Sequence, residues 1–382
     1  MNRIYLDHAA TTPVDPRVRQ AMEPYFEYTF GNPSSIHGFG QDALVAVENA
    51  RKEVAKLLVA DPQEIVFTSG GTESDNAAIL SACRTFREKG NHIVTTAIEH
   101  HAVLHTCRFM KEQGFDVSVV PVSTEGIVDP DDIRKALTKK TILVSVMHAN
   151  NEIGTIQPLR EIGAIARTNS VCFHTDAVQT FGHIPVGADD LHLDFLSLSG
   201  HKLYGPKGIG ALYIRKGTPF SPLIHGGGQE KNRRSSTHNV PGIVGLGKAA
   251  ELARTEMTEE NQRIKALRNR LHETIGRNTE GVRLNGHAVL RLANNLNLSI
   301  DRVDGESLLM RLDMEGIAVS SGSACGSASG EPSHVLLALG LSPEQARGSI
   351  RITLGRPTTE AEVDRIADVL KKTVGELRSL AS

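Results

Sequence analysis

Lys202 lies in Ser199-Gly-His-Lys-Leu-Tyr-Gly-Pro-Lys-Gly208, just past the apolar run Phe195-Leu-Ser-Leu198. A lysine that enters a low-dielectric pocket from the end of a buried strand loses its proton more readily. It then becomes the nucleophile that Schiff-base chemistry requires. Taken alone, such a lysine is more often a solvated loop residue. Ser199 and His201 beside it could hold a phosphate. Asp176 closes the run Val171-Cys-Phe-His-Thr175, at the strand end where open α/β sheets place ligands. A buried carboxylate there needs a cation or good hydrogen bonds, and a plain helix cap is the competing reading. In Thr68-Ser-Gly-Gly-Thr-Glu-Ser-Asp-Asn76 a strand end meets a glycine turn and a helix start. Gly70 and Gly71 let the backbone bend tightly, and the exposed N–H groups attract an anion. No Gly-Lys-Ser/Thr follows, so this is not a Walker A loop; a capped strand–helix turn would look much the same.

Two further groups could react. His100 begins Glu99-His-His-Ala-Val-Leu-His105, with His101 and His105 spaced i, i+4. That spacing can bind a metal, but no HExxH pattern or adjacent third ligand accompanies it, so no metal site is expected. At a strand-to-helix junction His100 suits proton transfer or stacking on a ring. Cys325 sits in Ser320-Ser-Gly-Ser-Ala-Cys-Gly-Ser-Ala-Ser-Gly-Glu-Pro332, where almost nothing could bury it. A thiol of that kind is a nucleophile if its thiolate is stabilised; otherwise the stretch is a linker with an incidental cysteine. The GxGxxA segments Gly38–Ala43 and Gly245–Ala250 do not follow strands of a βαβ unit and are rejected as dinucleotide sites.

These residues need a frame. From about 40 to 215, short β-branched runs alternate with helical patterns. Strands are expected at 65–67, 93–96, 117–121, 141–147, 171–175, 195–198 and 210–214. Helices are expected over 42–58, from about 72, over 101–112, after Asp129, and from Pro158. Apolar strands separated by helix-length segments indicate a mostly parallel sheet covered on both faces. After the Gly- and Arg-rich stretch 225–234, a long helix is expected over 243–276. Runs at 295–300 and 350–354 and a helix over 305–314 then read as a smaller α+β unit. The predicted division is 16–255 as the large domain, with 1–15 and 256–382 forming the small one that carries Cys325.

Composition narrows the function classes. The chain has 382 residues, with 42 Lys plus Arg against 44 Asp plus Glu, a formal charge of −2. That balance argues against a nucleic-acid binder. No apolar run is long enough to span a bilayer, and Asp7 and His8 stand where a signal peptide would need its apolar core. The four cysteines, Cys83, Cys107, Cys172 and Cys325, are too scattered for a disulfide framework. A cytoplasmic protein without a membrane partner is expected.

Together the glycine turn, Asp176, Ser199-Gly-His-Lys202 and the late Cys325 make the chain resemble the cysteine desulfurases of the NifS/IscS type. These are pyridoxal-phosphate enzymes of fold type I, related to class V aminotransferases. The likeness includes Tyr5-Leu-Asp-His-Ala-Ala-Thr-Thr-Pro13, Gly31-Asn-Pro-Ser-Ser-Ile-His37, Asn150-Asn-Glu-Ile-Gly154, Glu331-Pro-Ser-His334 and Ile350-Arg-Ile-Thr-Leu-Gly-Arg356, and runs in order along nearly the whole chain.

The resemblance implies roles. Lys202 would hold pyridoxal 5′-phosphate as a Schiff base, Asp176 would pair with its ring nitrogen, and His100 would stack on the ring and move protons. Gly71, Thr72, Ser199 and His201 would bind the phosphate, joined by the partner subunit's Thr237 in a homodimer. Asn151 and Gln179 would bond the ring's edge. Arg351, with Asn32, would bind the substrate, L-cysteine. Cys325 would take its sulfur as a persulfide, leave L-alanine, and pass the sulfur to an acceptor such as an iron–sulfur scaffold protein. Gly326 and Ser236 depart from the commonest pattern, where Thr and Gly are frequent. The chain stops at Ser382, short of the tail some members use for scaffold docking. The same frame could serve a class V aminotransferase, which needs no loop thiol, or a selenocysteine lyase. A non-catalytic sulfur-delivery module would have lost Lys202, Asp176 or Cys325, and all three are present.

Overall fold

The computed structural model describes residues 3–321 and 331–380; Cys325 and Gly326 lie outside the described residues. The strands in chain order are β1 (Ile4–Tyr5), β2 (Ile65–Thr68), β3 (His92–Thr96), β4 (Asp116–Val120), β5 (Thr141–Ser145), β6 (Cys172–Asp176), β7 (Phe195–Ser199), β8 (Gly210–Ile214), β9 (Val282–Leu284), β10 (Asn295–Ile300), β11 (Ile317–Ala318), β12 (Ser320–Ser321) and β13 (Ser349–Thr353).

Seven of them form one sheet in the order β2-β8-β7-β6-β5-β3-β4. Every link from β7 to β4 is parallel, whereas β8 runs antiparallel to both of its neighbours. Alternate residues feed two apolar layers. Phe67, Val94, Val144, Phe173 and Leu196 pack on one face, and Val66, Ile93, Leu143, Cys172 and Phe195 pack on the other. Burial on both faces is why these strands read as apolar runs with almost no charge. The chain is thus an α/β protein with a mostly parallel sheet.

The helix Val240–Asn278 leaves this layer and enters a second core. Its early residues Ile243, Leu246 and Ala250 belong to the first cluster. Its later residues Ile264, Leu267, Leu271 and Ile275 join Ile4, Leu6, Leu298 and Ile352 in the other. There β12-β13-β10-β9 form an antiparallel sheet. Gly247 allows this helix to lie on Gly38–Leu58: a Cβ at that position would meet the Cα of Ala50 at 2.6 Å. Both GxGxxA segments therefore lie inside helices.

Boundaries moved by a few residues. The first long helix begins at Gly38, four residues before the expected start. β5 ends at Ser145 instead of 147, and β13 covers 349–353 instead of 350–354. Among the described residues no helix is long and apolar enough to cross a membrane.

Candidate active site

β2 is parallel to β7, because β8 lies antiparallel between them. The C-terminal ends of β2, β3, β5, β6 and β7 therefore share one edge of the sheet. Thr68-Ser-Gly-Gly71 leaves β2 there, Asp176 ends β6, and Ser199 ends β7 before the 3₁₀ turn Gly200–Lys202. A cavity of about 290 Å³ opens at this edge. It is lined by Gly71, Thr72, His100, Asn151, Asp176, Gln179, Ser199, His201, Lys202 and Arg351, together with Ala9, Ala10, Asp75, Met147 and Val178.

Most residues singled out from the sequence thus converge. Asn32 does not line this cavity; it is exposed, and its Oδ1 accepts the Ser34 N–H at 3.0 Å. Thr237 is likewise exposed and outside the cavity of its own chain.

Lys202 reaches across to the N-terminal segment, where Nζ donates to the carbonyls of Ala9 and Ala10, both at 2.6 Å. Gln179 Nε2 also donates to Ala9 O, at 3.0 Å. His201 Nδ1 lies 3.1 Å from Thr11 Oγ1, and Thr12 Oγ1 donates to His201 O. The residues after β1 thus form one wall, held by the group that would react.

The opposite wall suits an anion. The helix Gly71–Thr85 starts after Gly70, which offers no side-chain cap, so its first-turn N–H groups are left to whatever occupies the cavity. Gly70 has φ 157°, a conformation open in practice only to glycine. A Cβ on Gly71 would stand 2.6 Å from Val178 Cγ2. Ser199 and His201 complete this side.

The electrostatics are set by burial. Asp176 is 5% exposed; its Oδ1 accepts the Val178 N–H at 2.9 Å. Burial, together with the charge of Asp75, pushes its carboxyl up to about 7. Asp75 is 1% exposed and is also raised by burial to about 7. Its Oδ1 has no hydrogen-bond partner among the described residues and lies 3.5 Å from His174 Nε2. Two carboxylates in one dry pocket ask for a positive group between them. His100 is pulled down to about 4 by burial and by the nearby Lys202. Its Nδ1 accepts the Ala102 N–H at 3.1 Å, so the neutral ring carries its proton on Nε2.

His100 is held by the residues around it. Glu99 accepts from Thr96 Oγ1 at 2.6 Å and from the Met147 N–H. Asn150 donates to Ile98 O at 2.8 Å and accepts the N–H groups of Glu152 and Ile153, which fixes the turn that presents Asn151. The rings of His101, His105 and His334 lie beside this junction, that of His101 tilted against each of the other two with centroids 4.9 and 4.8 Å apart. Among the described residues, Asp75, His100 and Asp176 do have metal-ligand spacing, with ligand atoms within 4.8 Å of one another.

Arg351 enters from β13. It is 1% exposed, donates from Nη1 to Asn151 O at 3.0 Å and from Nη2 to Asp7 Oδ1 at 2.8 Å. Its Nε is buried with no partner among the described residues.

Sequence reasoning missed Asp75, Met147, Val178 and the backbone of Ala9 and Ala10. Asp75 lies inside Thr68–Asn76, but nothing in its spacing marks it as facing inward.

The model of the aminotransferase class-V family matches residues 4–366. The chain belongs to the aminotransferase class-V family. Among curated class-V relatives, it is similar to the cysteine desulfurase IscS of Dictyoglomus turgidum, with 53% identity over 99% of this chain and 96% of that protein. It is equally similar to the cysteine desulfurase IscS of Methanosarcina thermophila, with 53% identity over 99% of this chain and 93% of that protein. Among solved structures, a NifS-like protein superposes with a TM-score of 0.92 at 41% identity, covering 98% of this chain and 99% of that one. A structure described as SspA in complex with cysteine gives a TM-score of 0.82 at 39% identity, covering 92% and 98%.

Proposed function

We propose that the chain is a pyridoxal 5′-phosphate-dependent cysteine desulfurase that converts L-cysteine to L-alanine and holds the removed sulfur as a persulfide on Cys325. The observation that carries this reading is a single cavity of about 290 Å³ faced by Lys202, Asp176, an uncapped helix start and Arg351. Each fits one part of the cofactor or substrate. The first-turn N–H groups, Ser199 and His201 suit a phosphate, and the missing Cβ of Gly71 lets the turn pack against Val178. Asp176, with the unpartnered Asp75 oxygen nearby, suits a protonated ring nitrogen. Lys202 suits an aldehyde carbon, and Asn151 and Gln179 suit the ring's edge. A bound cation at Asp75, His100 and Asp176 is the competing occupant. The ammonium of Lys202 on the same cavity opposes it.

When bound, the cofactor supplies an electron sink for the substrate's carbon skeleton. Lys202 would hold the cofactor and could carry a proton at Nζ. Arg351 orients the substrate carboxylate with its planar fork, and His100 holds a transferable proton at Nε2. The Cys325 thiolate takes the substrate sulfur; the C–S bond breaks with its electron pair left on carbon, and a proton there completes alanine. Thr237 would serve the phosphate site of a second copy. The exposed apolar residues Phe26, Tyr28, Phe30, Ile36 and Phe39 support such a homodimer, since so many large apolar groups in one short segment call for a cover. The sulfur acceptor is a protein such as an iron–sulfur scaffold, in the cytoplasm. Residues 16–255 form the cofactor-binding unit in this reading, with 1–15 and 256–382 as the second.

Borohydride reduction of the yellow holoenzyme followed by peptide mapping tests the reading. The vitamin B6 adduct is expected on Lys202, and an adduct elsewhere overturns it. Cys325→Ser should keep the visible absorbance and still bind cysteine, yet form no persulfide. Undiminished sulfide release by that variant, without added thiol, would remove the role of Cys325.

A further inference from the structure

Ahead of the helix Val240–Asn278, Glu230, Lys231 and Asn232 take positive φ in succession, 49°, 56° and 64°. L-residues rarely do this, because Cβ crowds the following carbonyl. A buried carboxylate accompanies the strain. The Glu230 side chain is 2% exposed. It accepts from Arg51 Nη1 at 2.7 Å and Nη2 at 2.8 Å, from the Phe67 N–H at 3.0 Å, and from His238 Nε2 at 2.8 Å. Burial alone would raise its pKa, but the Arg51 and His238 bonds outweigh that and hold it at about 2. Arg51 also donates to Ile65 O at 2.8 Å and lies over the Phe67 ring.

A second tether lies four residues on. Arg234 forks onto Glu73 at 2.8 and 3.1 Å, and Glu73 Oε2 accepts the Ser69 N–H at 2.8 Å. The loop is therefore tied twice to β2 and the glycine turn that β2 feeds. Yet Thr237, at the tip, is exposed and does not line the cavity of its own chain.

We infer that Glu230 is a positioning residue: paired with Arg51, it holds the strained loop so that Thr237 is presented to the phosphate site of a second copy. This rests on the reading that Thr237 acts across the homodimer. It adds that one carboxylate links β2, the strand that feeds the phosphate turn of its own chain, to the phosphate site of the other. A buried ion pair that only stabilised its own chain would have no effect across the interface, which makes the two roles separable.

Differently tagged chains allow two hybrid dimers. In the first, Lys202→Ala is on one chain and Glu230→Gln on the other, so the lysine-bearing cavity receives Thr237 from a chain with Glu230 intact. In the second, both substitutions are on one chain, and the lysine-bearing cavity receives Thr237 from the altered chain. Each is titrated with pyridoxal 5′-phosphate and with pyridoxal, and borohydride-reducible absorbance is followed. The second hybrid should bind the phosphorylated form about tenfold more weakly than the first, as expected for one misplaced hydrogen bond to a charged group. Pyridoxal should not distinguish them. Equal affinities, a weaker first hybrid, or an equal loss for pyridoxal overturns the inference. Thr237→Val in place of Glu230→Gln separates the premises. If it weakens binding across the interface and Glu230→Gln does not, this inference alone falls; if neither does, the across-dimer reading falls with it. Should the Glu230→Gln chain fail to fold, Arg51→Lys, which keeps the charge but removes the fork onto Glu230, takes its place with the same expected pattern.

Discussion

Arg351 Nη2 and Asp7 Oδ1, 344 residues apart in sequence, meet at 2.8 Å and join β13 to the segment just after β1. The guanidinium is 1% exposed and the carboxylate 19%. Both terminal nitrogens thus donate, Nη2 to Asp7 and Nη1 to Asn151 O, while Nε stays buried and unpartnered among the described residues. The ion pair aims the fork; it does not use it up.

Substrate binding should therefore depend on the fork's shape more than on its charge. Arg351→Lys keeps the charge but loses bidentate geometry. KM for cysteine should rise about 10- to 100-fold, the worth of one or two hydrogen bonds to a charged group, with cofactor absorbance unchanged. Asp7→Asn, which loosens the aim only, should raise KM by roughly severalfold. Steady-state kinetics on both variants decide the matter, and an Arg351→Lys enzyme with unchanged KM would contradict the assignment.

Gly71 and Val178 make a steric prediction. A Cβ at 71 meets Val178 Cγ2 at 2.6 Å, and overpacking of this kind costs about 1–3 kcal/mol. Gly71→Ala should weaken cofactor binding about tenfold or more by pushing the turn off its anion. Gly71→Ala combined with Val178→Ala should recover most of that affinity. An apoenzyme titration with cofactor reads both; if the double variant is no better than the single, the contact is not the cause.

Legibility followed physics. Strands β2, β3 and β5 to β8 are buried on both faces, so apolar runs alone locate them to within two residues or so; β4, at the sheet edge, is mostly exposed or half-buried. β1, β11 and β12 have two residues each and exist only because a distant strand pairs with them, which no local pattern announces. The last helix, Glu360–Leu380, went unread although Val363, Ile366, Leu370 and Val374 recur at helical spacing and are buried. In the site, Lys202 and Asp176 were visible because each follows a buried strand. Asp75 was not: on a helix among Glu73, Ser74 and Asn76 it looks like a solvent-facing acid until the helix is packed on the sheet. The carbonyls of Ala9 and Ala10 carry no side-chain signal at all. Asn32 and Thr237 came from family resemblance alone, and both lie outside the cavity of their own chain.

Asp176→Asn tests the electron-withdrawing role. The amide keeps the shape and can still accept the Val178 N–H, but it offers no negative charge to a ring nitrogen. Turnover should fall by on the order of 10²–10³, comparable to removing one preorganised electrostatic partner, while Lys202 still retains reducible cofactor. Loss of cofactor without a drop in turnover per bound cofactor would instead make Asp176 a mere anchor.

Stability against pH gives the last test. His8, His100, His148 and His201 are lowered from 6.5 to about 4, mainly by burial. Their neutral forms are favoured by folding, so the stability they contribute is complete above 6.5 and lost as pH falls toward 4. Asp75 and Asp176 are raised from 3.8, and Glu152 from 4.5, to about 7, and Glu99 from 4.5 to about 8, again by burial. These groups favour folding when protonated, so their contribution is present at low pH and lost as pH rises through 7 to 8. Between pH 4 and 6.5 the two sets oppose each other; above 6.5 only the carboxyls still titrate. Cofactor-free protein should lose about 1.4 kcal/mol per pH unit for each proton the folded chain still holds in excess of the unfolded one, a slope that fades between pH 6.5 and 8.5 as these carboxyls deprotonate. Asp75→Asn should flatten that slope by removing one of the four groups. Bound cofactor should flatten it too, because a cationic ring nitrogen lowers the Asp176 pKa and removes its proton release from this range. Urea unfolding at pH 6.5, 7.5 and 8.5 reads all three forms, and a slope indifferent to both changes would show that these carboxyls are not the groups that titrate.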